Sequence, residues 1–166
     1  MARKRPVKDV PARLDPGAAR PAVSFWTAVR VVTGLLFAVS GFEKLVSPYQ
    51  NFQFVIEQYQ VVGGEQAAWI AKTLPWAELV AGAFFLLGLW TPAAGAAILA
   101  LFGVFIVAVG QALVRRLPMD ECGCFGELIS IPLPVVLVMD LTLAALVAWG
   151  LRLKPGLRAA GLDERL

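Results

Sequence analysis

The chain has no histidine and only two cysteines. Without histidine there is no Ser–His or Cys–His hydrolytic pair and no histidine-ligated haem. A closed zinc site, which wants four ligands, would need carboxylates beside the two thiolates. Charge is scarce as well: 16% of residues are charged, against about a quarter in a soluble domain. Many of the glycines lie within the apolar runs, and no glycine-rich motif of a phosphate-cradling loop is present. No internal repeat or low-complexity core is present.

What the chain has instead is hydrocarbon. It is 58% hydrophobic with a mean hydropathy of +0.71. Four windows approach the roughly 20 apolar residues that a spanning helix needs: Phe25–Val46, Leu74–Trp90 extended back toward Ala67, Ala93–Val114 and Ile131–Leu151. The links between them are short, which predicts a single all-α membrane domain over residues 25–151. The flanking segments, 1–24 and 152–166, read as basic tails. They carry ten of the fifteen Lys and Arg residues. By the positive-inside rule both tails are cytoplasmic. The link between the third and fourth spans then faces the periplasm of a bacterial inner membrane. The basic lead reads as a solvated tail beside anionic lipid rather than a nucleic-acid arm. The small residues at 38–40 resemble a signal cleavage site. The long polar lead and Arg30 inside the first apolar run argue against one.

Between the first two spans, Phe52, Val55, Ile56, Tyr59 and Val62 recur at helical spacing, with Gly63–Gly64 as a stop. This pattern predicts a short amphipathic surface helix, or equally a connecting helix packed on the bundle.

Ionisable groups inside spans are costly and need a partner or a purpose. Arg30, Gly34, Phe37, Gly41 and Lys44 share one stripe of the first span. Glu78, Gly82, Phe85 and Leu89 share one of the second, and Ala96, Gly103 and Gly110 repeat along the third. The small residues predict three faces that pack together. Antiparallel spans place Lys44 within reach of Glu78, with Glu43 and Arg115 at a similar level and Asp140 deeper. Arg30 lies near enough to the cytoplasmic end to snorkel. The bland reading is a structural Lys44–Glu78 pair. The sharper one is an outward-opening polar pocket built from Arg30, Lys44, Glu78, Arg115 and Asp140.

The two cysteines form Cys122-Gly123-Cys124 in the link between spans three and four. Gly123 permits the turn that a disulfide between i and i+2 requires. Such a bridge closes almost no loop, so it stabilises little. Strained, exposed disulfides are also the labile ones. The spacing therefore suits thiol exchange better than stapling, with an inert loop or a Cu(I) or zinc site as the competing readings. Asp120, Glu121 and Glu127 oppose thiolate formation, whereas Arg115 and Arg116 favour it.

Three stretches carry a resemblance: RVVTGLLFAVSGFEKL at 30–45, PWAELVAGAFFLLGLWTPAAG at 75–95, and CGCFG at 122–126. Together they resemble the small four-helix membrane proteins of the DoxX-like superfamily, and within it the branch typified by methylamine utilisation protein MauE. The resemblance covers about residues 25–150. It implies a membrane accessory role alongside thioredoxin-like partners, in maturation of an exported, disulfide-rich methylamine dehydrogenase subunit. Other DoxX-like proteins are associated with thiosulfate–quinone oxidoreduction or thiol stress.

The expectation is thus a four-helix transmembrane bundle with a surface helix between helices 1 and 2. It would present Cys122 and Cys124 as a redox pair to a thioredoxin-like protein or an exported client, with quinone as a candidate electron acceptor and no metal. The alternatives are a non-catalytic assembly subunit, in a homo- or hetero-oligomer, and a carrier for a small solute.

Overall fold

The computed structural model describes residues 21–118 and 131–153. These form five helices and no strand: α1 (Pro21–Val46), α2 (Tyr49–Gln58), α3 (Gly64–Leu87), α4 (Thr91–Val114) and α5 (Leu133–Arg152). Four of them, all but α2, are long and apolar enough to cross a membrane. In hydrocarbon every backbone polar group must be satisfied within the segment, and a helix does so. Large apolar side chains such as Val104, Val107 and Leu87 point outward, as do Trp69, Trp90 and Trp149. That surface suits lipid, not water.

The helix ends follow from local chemistry. α3 ends on Gly88 at φ 67°, and the Leu89 and Gly88 amides donate to the Phe84 and Phe85 carbonyls at 2.9 and 3.1 Å. This is a Schellman closure, which favours glycine at the left-handed position. Three residues later α4 begins, so α3 and α4 form a tight antiparallel hairpin. α4 closes in the same way: Leu117 and Arg116 donate to Ala112 and Leu113. Here Arg116, not glycine, takes the positive φ of 51°.

α2 is shorter than its apolar pattern suggests. Gln60 adopts φ 53° and ends the helix at Gln58. Gly63 and Gly64, expected to stop α2, instead start α3, with Gly63 extended and Gly64 at φ 57°. The predicted inner face holds up to Tyr59, which is buried with Val109, Ala112, Leu133 and Val136. α2 is therefore packed on the bundle at the end where α4 stops and α5 starts. This is the α2 end of the bundle.

α1 and α3 make the closest contact. A Cβ on Gly82 would stand 2.5 Å from the Ala38 amide nitrogen, and one on Gly34 or Gly41 would stand 2.6 Å from the Leu86 or Leu79 nitrogen. Backbone approaches backbone there, as small residues allow. The third predicted stripe does not join them. A Cβ on Gly103 or Gly110 would meet nothing within 4 Å, and Ala96 is exposed. The glycine of α4 that does pack is Gly95, against Leu151 of α5 and Phe85 of α3. Between these contacts lies an aromatic and aliphatic core that includes Phe37, Phe85, Ile98, Phe102 and Val147. The Phe37 and Phe102 rings meet edge to face at 4.9 Å.

Candidate functional site

The α1–α3 glycine contact ends, on the α2 side, in a buried charge cluster. Lys44 Nζ donates to both oxygens of Glu78, at 3.0 and 2.8 Å, and to Ser40 Oγ at 2.8 Å. Ser40 Oγ in turn donates to Glu78 Oε2 at 3.1 Å. An ammonium has three donors, and all three are used. Ser40 precedes Lys44 by one helical turn, so both face α3. The Phe52 and Phe105 rings lie 4.9 and 5.6 Å from Nζ and enclose the cation from α2 and α4. Glu78 is 0% exposed. A bare charge there would be prohibitive, and only the pairing and hydrogen bonds make its burial tolerable.

Asp140 of α5 is also buried, at 5% exposure. Its Oδ2 has no hydrogen-bond partner among the described residues. It lines a cavity of about 30 Å³ together with Ser40, Phe37, Phe102 and Phe105. That space has room for one or two waters, which need polar partners such as Asp140 and Ser40. It is too small for a solute path between Glu78 and Asp140, so it gives a carrier no support.

The other expected pocket members lie elsewhere. Arg30 is 3% exposed. It is turned into the bundle, not out toward water as snorkelling would require. It sits 14 residues before Lys44, about 21 Å away along the helix at 1.5 Å per residue. Arg115 is at the α2 end. It donates to Gln60 Oε1 at 3.0 Å, to Gln111 Oε1 at 3.1 Å and more weakly to the Gln60 carbonyl at 3.4 Å. Gln111 also donates to the Tyr59 carbonyl at 2.8 Å. The expected five-residue pocket therefore resolves into four places: Lys44 with Glu78, Asp140 across a small cavity, Arg30 far along α1, and Arg115 at the α2 end. Cys122 and Cys124 lie outside the described residues.

Sequence reasoning missed Ser40, Phe52, Phe105, Gln60 and Gln111. Ser40 carried a signal, since it is one turn before Lys44 on the same stripe. Phe52 was legible only as part of the apolar face of α2, and Phe105 carried no signal, because a phenylalanine in a span looks the same whether it faces lipid or a cation.

Beside the cluster, a larger and almost wholly apolar cleft of about 640 Å³ opens between α2, α3 and α4, with Phe52, Phe105 and Tyr59 among its walls. Burial pushes the Tyr59 phenol up to about 12, and the Asp140 carboxylate adds to the effect.

Four apolar crossing helices, a glycine seam and an internal ion pair define a multi-pass α-helical membrane protein. Residues 22–153 match the family of methylamine utilisation protein MauE. The match spans most of the chain, which belongs to that family. No curated protein and no solved structure matches it.

Proposed function

We propose that this protein is a membrane-bound thiol–disulfide redox or accessory protein of the methylamine utilisation type. Cys122 and Cys124 would be its working pair, in an inner membrane with both termini cytoplasmic. The observation that carries the reading is the family match, which runs through the Cys-Gly-Cys link as well as the helices. Chain order agrees with it. The link joins the end of α4 to the start of α5, so it leaves and enters the bundle at the α2 end, near the Lys44 cluster and not across the membrane from it.

The chemistry is an exchange. A client thiolate attacks one sulfur of a Cys122–Cys124 disulfide and expels the other as a thiolate. The client's second thiol then attacks the mixed disulfide, so the client leaves oxidised and the pair is left as two thiols. A thioredoxin-like partner's disulfide restores the pair by the reverse exchange and carries off the two electrons. A quinone would serve as the other acceptor. Tyr59 is the only hydroxyl-bearing residue among the described residues that line the cleft, too few polar groups to hold both oxygens of a quinone.

Single serine variants at Cys122 and Cys124 test the proposal. Replacing the resolving cysteine traps a mixed disulfide with the natural partner, seen as a band on a non-reducing gel that dithiothreitol removes. The double variant gives no band and still folds. No adduct from either single variant, with client maturation intact in the double variant, would overturn the redox reading. Loss of folding in the double variant would make the link structural.

A further inference from the structure

The apolar cleft has a shape and a rim that point to a ligand. Its walls come from Phe52, Ile56 and Tyr59 of the α2 segment, Ile70 and Leu74 of α3, and a face of α4 that includes Gly103, Val104 and Val107. α3 and α4 are joined by a three-residue turn at one end, yet a Cβ on Gly103 would meet nothing within 4 Å. The hairpin has therefore splayed by mid-membrane. Val104 and Val107 on its edge are 55% and 69% exposed, so the cleft opens sideways into the bilayer. At the α2 end it is roofed. Gln111 and Arg115 reach across from α4 to Tyr59 and Gln60.

The roof is cationic and unspent. A guanidinium has five N–H donors. Arg115 commits two from Nη1 and one from Nη2 to glutamine side chains and a backbone carbonyl. Nε–H and the second Nη2–H remain. Its printed partners among the described residues are two glutamines and a backbone carbonyl, none of them a carboxylate. Gln60 and Gln111 thus hold a positive group in place without neutralising it, next to Tyr59 at the α2 end of the hydrocarbon-lined space. Uncommitted donors on a fixed guanidinium suit an oxyanion such as a phosphate.

An almost wholly apolar space that opens sideways into the bilayer suits an extended hydrocarbon chain. Water is excluded by the lining, and a void would forfeit the contacts of every wall.

We propose that the cleft is a binding site for an anionic phospholipid, one acyl chain lying between α3 and α4 with its phosphate on Arg115. The site needs neither cysteine.

The test uses the full chain, purified in detergent and stripped of lipid, with phosphatidylglycerol or phosphatidylcholine added back and the adducts counted by native mass spectrometry. The parent should hold phosphatidylglycerol about tenfold better than phosphatidylcholine. Gly103→Phe fills the cleft and Val107→Trp blocks its side opening. Each should lose most of both adducts. Arg115→Gln should keep the adducts and lose the preference for the anionic lipid. Circular dichroism checks the fold of each variant, and if Gly103→Phe does not fold, Val107→Trp carries the test. Equal retention of the two lipids by the parent, or undiminished adducts in a folded cleft variant, would overturn the proposal. So would a co-purified occupant that extraction shows to be an isoprenoid quinone or another non-phospholipid.

Discussion

α3 faces two neighbours and meets them in opposite ways. Against α1 it is sealed, with Gly34, Gly41 and Gly82 bringing backbone onto backbone and Lys44 bonded to Glu78. Against α4 it is tight only near the turn and then parts to leave the cleft. Both neighbours offer a helical stripe of small residues. The difference is reciprocity. The α1 glycines meet a glycine and an acidic residue on α3 at matching heights. Gly103 and Gly110 of α4 have no such counterpart. With no hydrophobic drive between helices in lipid, only contacts and polar bonds hold a seam closed. A small-residue stripe without a complement becomes a groove.

The largest expected effect breaks the closed side. Glu78→Gln strands a buried ammonium, and breaking one partner of a buried pair costs about 3–5 kcal/mol. Lys44→Met combined with Glu78→Gln removes both charges and should melt above the single variant in detergent. If Glu78→Gln alone melts like the parent, the pair does not hold the seam.

Next is the seam itself. Gly82→Ala adds one methyl, but its nearest obstacles are the Ala38 nitrogen at 2.5 Å and the Gly34 carbonyl oxygen at 2.8 Å. Backbone cannot rotate aside, so α1 and α3 must separate. Overpacking costs about 1–3 kcal/mol, and the upper end is expected here. Because separation also lengthens the Lys44–Glu78 bonds, Gly82→Ala and Glu78→Gln should be less than additive in a double-mutant cycle. Strict additivity would show that the glycine contact and the ion pair act independently.

Much of the closed side was legible in sequence, and little of the open side was. Hydropathy placed the four spans within a few residues of α1, α3, α4 and α5. Periodicity plus antiparallel order placed Lys44 opposite Glu78. Those inferences need only one helix or one pair. The cleft depends on three elements at once: the α3–α4 turn, α2 lying across the hairpin, and Arg115 tied to Gln60. No single periodicity carries that. The same limit explains Gly63–Gly64, whose role as the start of α3 depended on Gln60 ending α2 first, and Arg30, whose burial depends on what surrounds α1.

Tyr59, at the foot of the open side, gives a smaller effect with a defined sign. Its phenol is raised from 10.0 to about 12, chiefly by burial. Below pH 10 it is neutral whether the chain is folded or not. As pH rises from 10 to about 12 only the unfolded chain ionises there, so this contribution to stability is lost upward. Two units correspond to about 2–3 kcal/mol at most. Chemical unfolding across that range should show a steeper alkaline loss in the parent than in Tyr59→Phe. Parallel curves would mean that the phenol is not shielded and that α2 does not seal against α4 and α5.

The smallest effect sharpens the comparison by reversing sign. Gly103→Ala and Gly110→Ala make the same chemical change as Gly82→Ala, on a helix of similar composition, where the added methyl meets nothing within 4 Å. Alanine gives up less backbone freedom than glycine in a helix, worth about 0.5–1 kcal/mol. Both variants should therefore melt at or slightly above the parent temperature. A single methyl at Gly103 narrows the cleft without closing it, so phospholipid adducts should persist there, unlike in Gly103→Phe. If Gly103→Ala instead destabilises as much as Gly82→Ala, α3 and α4 are zipped along their length in the membrane. The cleft would then be absent from the working protein, and the contrast between the two faces of α3 would fail with it.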